Sequence, residues 1–334
     1  MNEFVFFINK VLVAGTVVGS IYAMGAVGIT LIFAILRFSH FAHGDLMTVG
    51  AFISYLLVVA FPELGGMVGL PTGFVVLPVA MVLTAILAIF LDKAFYKPLR
   101  DNNVKPVVIV IASIGVTLML QGILRLFAGT ASRNFFFAES KDIFRINLPF
   151  DLASRKIFIT EPQILLFGFL IVAVLALHFF LTRTRLGKAM RAMSDNPDLS
   201  RITGINTNMV VWTTWIIAGG LAAAAGTLLS MDVTLKPDLS FNLLLPIFAA
   251  AIVGGVGQPY GAIAGGFVVG FAETLAVFNW SILLRPFSGI IPDWIEIPSK
   301  IAFVPTEYKI IVPFVLLIII LIWRPTGIFK GKVI

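Results

Sequence analysis

GSIYAMGAVGITLIFAILRFSHFAHGDLMTVGAF, residues 19–52, sets two runs of apolar and small residues on either side of a polar corner, RFSHFAHGD (37–45). Each run belongs to a longer one, 5–36 before the corner and 45–61 after it. A hydrocarbon core about 30 Å thick takes roughly 20 helical residues to cross. Backbone polar groups inside it must be satisfied within the protein, which a helix does by itself. The stretch therefore reads as a membrane helix, a corner and a second membrane helix. Gly15, Gly19 and Ser20 interrupt the first run, which leaves open whether 5–36 crosses once or breaks into two pieces.

Composition extends this reading to the whole chain. Of 334 residues, 59% are hydrophobic and 12% charged, and mean hydropathy is +1.02. Soluble domains sit near 45–50% apolar and about 25% charged. Further candidate spans are 72–92, 106–129, 162–182, 208–230, 243–256, 260–280 and 309–323. LLLPIFAAAIVGG (243–255) is short and contains Pro246, so it reads as a half-helix or re-entrant piece. The expected fold is an all-α polytopic membrane protein of about eight to ten transmembrane or half-membrane helices, in one domain over 1–334. A faint repeat relates FAHGDLMTVGAFISYLL (41–57) to QPYGAIAGGFVVGFAETL (258–275), each a glycine-containing corner entering a small-residue helix. Two related halves with interrupted helices are a recurring transporter design.

The formal charge of +7 is carried in the loops. Lys93, Lys97, Arg100 and Lys105 share one connection, and Arg183, Arg185, Lys188, Arg191 and Arg201 another; Arg324, Lys330 and Lys332 lie in the tail. Cytoplasmic loops collect Lys and Arg, which puts these segments and the C-terminus inside. Segments around Glu63, Asp232, Asp238 and Arg285 to Tyr308 then face outward, and the N-terminal side depends on how 5–36 crosses. This distribution argues against a nucleic-acid partner. Glu3 stands where a signal peptide carries positive charge, so the first run is expected to stay as a helix. Cysteine is absent, which excludes disulfides and thiolate metal sites.

One long polar run stands out, RAMSDNPDLSRITGIN (191–206). Asn196 suits an N-cap, Pro197 the first helical turn, and Asp198 the positive helix end; Gly204 suits a left-handed stop. A helix of about two turns is unstable alone in water, so it must pack on something. Leu199 and Ile202 offer one apolar face, and Met190 and Met193 add adaptable surface before it. Two readings follow: a loop helix resting on its own bundle, or a docking element for a cytoplasmic partner.

Buried polar residues are the other candidates. Glu273 falls inside FVVGFAETLAVF, where an unpaired carboxylate is costly, so it must face protein or water, either as a translocation-path candidate or contact for a partner helix, or as a structural hydrogen bond to a neighbouring helix. Ser113, Thr117 and Gln121 recur every four residues on one helix face, as either a stripe along a translocation path or interhelical hydrogen bonds. Asn242 is a further path candidate. His40, His43 and Asp45 hold three potential ligands, but at a cytoplasmic turn Asp45 more simply completes a helix start, so no metal is expected. No nucleophile and base constellation is visible, and the chain is not expected to be an enzyme.

The run RTRLGKAMRAMSDNPDLSRITGIN (183–206), together with residues 19–52, AAAIVGGVGQPYGAIAGGFVVGFAETL (249–275) and RPTGIF (324–329), resembles the permeases of the branched-chain amino acid (LivH/LivM-type) ABC transporter family. The first half and the length are more similar to the LivH-type subunit. The resemblance implies one permease domain over 1–334 with a cytoplasmic coupling loop at 183–207. In that loop Met190, Met193, Asn196, Pro197, Asp198, Leu199, Arg201, Ile202 and Gly204 would seat on an ATPase. It implies a LivM-like second permease subunit, two cytoplasmic ABC ATPases that carry the ATP and Mg, an external substrate-binding protein, and a bacterial-type inner membrane. No cofactor is expected in this chain, which has no G-x-x-x-x-G-K-[ST]. The polar insert near 130–160 and the extended 280–308 segment depart from the pattern and leave receptor contacts and substrate open. Alternatives are the same machinery carrying urea, short amides or aromatic compounds, or a secondary transporter without ATPases.

Overall fold

The computed structural model describes residues 2–147, 155–284 and 301–330. Among them are seven helices long and apolar enough to cross a membrane: α1 (Asn2–Leu36), α2 (His43–Ala60), α3 (Leu77–Asp101), α4 (Pro106–Ala128), α5 (Glu161–Arg183), α8 (Thr207–Asp232) and α10 (Pro259–Val277). Two short helices, the amphipathic α6 (Arg185–Asp195) and α7 (Pro197–Ile202), lie between α5 and α8. Two shorter apolar helices are α9 (Phe241–Gly254) and α11 (Ile311–Trp323). At 1.5 Å per residue, the 14 residues of α9 reach about 21 Å, short of a full crossing. This is the short span containing Pro246 anticipated from the sequence.

The opening run is one helix. Gly15 and Gly19 do not break it; they form a packing surface with Ala23 at four-residue spacing. A Cβ on Gly19 would stand 2.7 Å from the Phe267 ring, and one on Gly270 would stand 2.6 Å from the Gly19 backbone nitrogen. Small residues on both sides let the α1 and α10 backbones meet, the contact that replaces hydrophobic driving force inside lipid. The only irregularity in α1 is a wider π-helical turn at Ile8–Val13, before those glycines.

The corner after α1 is buried, and Asp45 lies in the first turn of α2, as expected for it. Arg37 ends α1 in a left-handed conformation at φ 60°. The chain then folds back, so that the His43 ring lies against Gly28. Gly28 is eight residues before the end of α1, about 12 Å along the axis. His40, His43 and Asp45 are all fully buried. The reason is tertiary: Tyr96 of α3 and Trp215 of α8 close over His40, with ring centroids 5.4 and 5.0 Å away.

The second corner, between α9 and α10, is sealed differently. The RPTGIF tail pairs with the end of α9 through Ile328 N–H to Val253 O (2.9 Å) and Phe329 N–H to Gly254 O (3.0 Å). Both corners lead into helices, as the repeat suggested.

The 130–160 connection carries a hairpin, β1 (Ile143–Ile146) with β2 (Ile157–Thr160), in antiparallel register with Arg145 opposite Phe158. Ahead of the hairpin, Glu139 and Lys141 strap distant helix ends together. Lys141 reaches Asp232 at the end of α8 (3.2 Å), while Glu139 accepts from the backbone N–H of Thr72 (2.9 Å). Much of the 280–308 segment, including Arg285, lies outside the described residues, as does Lys332 in the tail.

Candidate functional site

The loop from Thr184 to Asn206 is built from three consecutive side-chain caps. Thr184 accepts from Gly187 N–H to start α6, Asn196 from Leu199 N–H (3.0 Å) to start α7, and Asn206 from Met209 N–H (3.1 Å) to start α8. Pro197 occupies the first turn of α7, and Gly204 takes φ 82°, as their positions suggested. Asp198 pairs loosely with Arg201 at 3.9 Å on the exposed side. Thr184 and Asn206 were missed by the sequence reading, although each is a cap-forming residue just before a helix.

Within this loop the apolar residues divide. Met190 and Met193 are buried against the chain's own helices, so they anchor α6 and do not add docking surface as expected. The strong amphipathicity of α6 explains this, since its apolar stripe faces the bundle. Leu199 and Ile202 remain 53% and 82% exposed. Thus α6 is a rod seated on the bundle, and α7 is a short projection at its end with an uncovered apolar face. Arg37, the residue that ends α1, donates to the Ser194 carbonyl at the last turn of α6. A cavity of about 290 Å³ lies beside this joint, between Ile35 of α1, Arg191 of α6, His178 of α5 and Tyr260 of α10. His178 and Tyr260 hydrogen-bond across it at 2.9 Å. The loop therefore touches the first corner at Arg37 and faces the second across this cavity.

Deeper in the bundle, the structure brings Ser113, Thr117 and Gln121 together with the first corner. All three are buried on one face of α4. The Ser113 hydroxyl accepts from Phe41 N–H (3.2 Å) and donates to Val110 O (2.7 Å). Asp45 faces Gln121, Thr117 and the charge of Arg125. None of its carboxylate oxygens, nor Thr117 Oγ1 or Gln121 Nε2, closes a hydrogen bond of good geometry within the chain. Both ring nitrogens of His43 and the Trp215 indole N–H are likewise buried without a partner. Unpaired buried polar groups are costly, and Asp45, Thr117 and Gln121 lie close enough to offset part of that cost among themselves. No group of three or more metal-ligating side chains occurs among the described residues.

Glu273 lies elsewhere. It is buried on α10, accepts from Tyr22 Oη of α1 at 3.0 Å, and pairs with Lys309 at 3.1 Å. This places a charged pair and a phenol across the α1–α10 contact and the start of α11. Asn242 stands apart from both clusters, exposed at the start of α9, with its amide donating to Asp238 O at 3.4 Å.

These features, a crossing bundle with re-entrant corners and a capped projection on one face, agree with the comparisons. Residues 11–321 match the family model described as the branched-chain amino acid transport system, permease component. The chain is 29% identical to the high-affinity branched-chain amino acid transport system permease protein LivH of Escherichia coli K12, over 98% of this chain and 96% of that protein. It is also 29% identical to BraD of Pseudomonas aeruginosa, over 95% and 94% of the two chains. A probable LivH of Methanocaldococcus jannaschii is 29% identical over 81% and 82%. With the family model spanning nearly its whole length, this chain belongs to the branched-chain amino acid transport system permease family.

Proposed function

We propose that this chain is the transmembrane permease subunit of an ATP-driven importer for branched-chain amino acids in a bacterial-type plasma membrane, with its C-terminus in the cytoplasm. The observation that carries the reading is α7, a capped helix whose Leu199 and Ile202 find no cover in the chain that holds them. Apolar residues presented on a braced projection suit the groove of a partner protein. The partners are two cytoplasmic ABC ATPases, which hold ATP and magnesium, a LivM-like second permease and an external binding protein.

In this reading α6 is the lever. Movement of α7 with its ATPase shifts α6, whose buried Met190 and Met193 pull on the bundle and whose Ser194 carbonyl pulls on Arg37. Arg37 opens the first corner, where Asp45, Thr117 and Gln121 lie with unfilled hydrogen-bonding capacity. A polar path through that region accommodates the ammonium and carboxylate of an amino acid, while Ser113 fixes the corner backbone. Closely packed interfaces are bistable, so a small displacement at α7 is converted into a switch of access. Glu273 serves by holding α1, α10 and α11 together through Tyr22 and Lys309.

The test is reconstitution. ATPase subunits should co-purify with this chain, and liposomes holding the assembled transporter should take up leucine only with ATP and the cognate binding protein. Uptake driven by an ion gradient with this chain alone would overturn the proposal.

A further inference from the structure

The first turns of α1 and the β1–β2 hairpin enclose a second cavity of about 850 Å³, at the opposite end of α1 from Arg37. Four cations line it, Lys10, Arg145, Arg155 and Lys156, and no carboxylate does among the described residues. Glu3 is near Arg155 but outside the lining. The wall is held in shape by α1 itself: Asn9 donates to Lys156 O (3.1 Å) and accepts from Phe158 N–H (3.0 Å), while Arg155 N–H donates to Asn2 (3.0 Å). Asn9 and Lys10 lie in the π-helical turn, a feature frequently found at functional sites. The cavity also has an apolar end. Val13 and Ala14 line it one turn beyond Lys10, inside the membrane-crossing helix, and Phe6 and Phe158 flank the cations.

We propose that this cavity binds an anionic phospholipid, its phosphate held by Lys10, Arg145, Arg155 and Lys156 and its glycerol and upper acyl chain laid along Val13 and Ala14. A cluster of four cations with no carboxylate among the described lining residues attracts a phosphate, to which Arg presents paired donors. A water-soluble anion has no use for the apolar end, where Val13 and Ala14 remain partly exposed on α1. An acidic face of a partner protein would meet the cations without reaching Val13. The combination of headgroup-level charge with acyl-level surface on one helix is what a phospholipid matches. A bound lipid would pin the hairpin to α1, and through Thr160 and Gln163, which share Asp232 with Lys141, to the end of α8.

The experiment is native mass spectrometry of the purified assembled transporter, delipidated and then offered an equimolar mixture of phosphatidylglycerol and phosphatidylcholine. Phosphatidylglycerol should be retained preferentially. Lys10→Gln with Lys156→Gln should reduce that preference by roughly five-fold for each basic group removed, whereas Arg133→Gln, on the strap outside the cavity, should not. Arg145→Gln alone, on the hairpin, provides the same test should the double variant fail to assemble. Equal retention of the two lipids, or full preference in the variants, refutes the site. Displacement of the lipid by equimolar glycerol phosphate would show a free-anion site instead, and loss of binding-protein association with lipid preference unchanged would show a protein contact. Either result overturns the proposal, and neither bears on whether the chain transports amino acids, which uptake measures separately.

Discussion

Truncating both exposed residues of α7, Leu199→Ala with Ile202→Ala, tests the docking reading directly. Fully burying such a side chain is worth about 1.5–3 kcal/mol. Leu199 leaves 53% and Ile202 82% of its surface for a partner to cover. Allowing for the methyl that alanine keeps, the double variant should lose about 2 to 3 kcal/mol of ATPase association, or roughly 30- to 150-fold in affinity. Because neither residue is covered within the chain, the thermal stability of the permease should be nearly unchanged. Met190→Ala supplies the contrast from the same loop: its side chain is buried, so it should cost about 2–5 kcal/mol of folding stability. Leu199→Asp should be harsher than alanine for association, since it carries a charge into an apolar contact. The assays are equilibrium binding of the ATPase to permease in nanodiscs and ligand-stimulated ATP hydrolysis, with thermal unfolding of the permease in parallel. Full association and full stimulation in the double variant would refute the argument, and α7 would then be a loop helix with no docking role.

Four further outcomes are expected. Asn196→Ala removes the cap of α7 and should weaken ATPase association by no more than about 0.5–2 kcal/mol, without abolishing it. Lys309→Met leaves the buried Glu273 carboxylate with only Tyr22 and should lower the unfolding temperature more than Tyr22→Phe does, because an uncompensated buried charge costs about 3–5 kcal/mol; a stability order reversed between the two would remove Glu273 from its holding role. Gly226→Ala should separate α2 from α8, since a Cβ there runs into the Met47 backbone, whereas Gly122→Ala, which meets nothing, should fold normally; size-exclusion profiles distinguish them. Single cysteines at Lys188 and Asp238, in a chain with no native cysteine, should react with impermeant thiol reagents from opposite sides of the membrane, and labelling from one side would overturn the orientation.

What could be read from the sequence was whatever depends on neighbours a few residues away. A crossing helix satisfies its own backbone, so hydropathy over about 20 residues located the spans, and the shortness of α9 with its Pro246 was visible without any contact. The cap of α7 was equally local: Asn196, Pro197 and Gly204 act on N–H groups and dihedrals within their own turn. Long-range contacts decided the rest. That Gly15 and Gly19 are a packing face and not a break depends on Gly270 arriving opposite them. That Met190 and Met193 face inward while Leu199 and Ile202 face outward depends on where α6 lands, not on their similar hydrophobicity. The corner at His40 and Asp45 reads as a cytoplasmic turn because it is polar, and it is buried because Tyr96 and Trp215, 56 and 175 positions along from His40, stack on one another and meet its ring edge-on. Glu273 was recognisably in need of a partner, but Tyr22 is 251 residues away, and only the closed bundle brings its hydroxyl to the carboxylate. Hydropathy and capping are properties of a segment; burial and pairing belong to surfaces that exist only once distant helices have met.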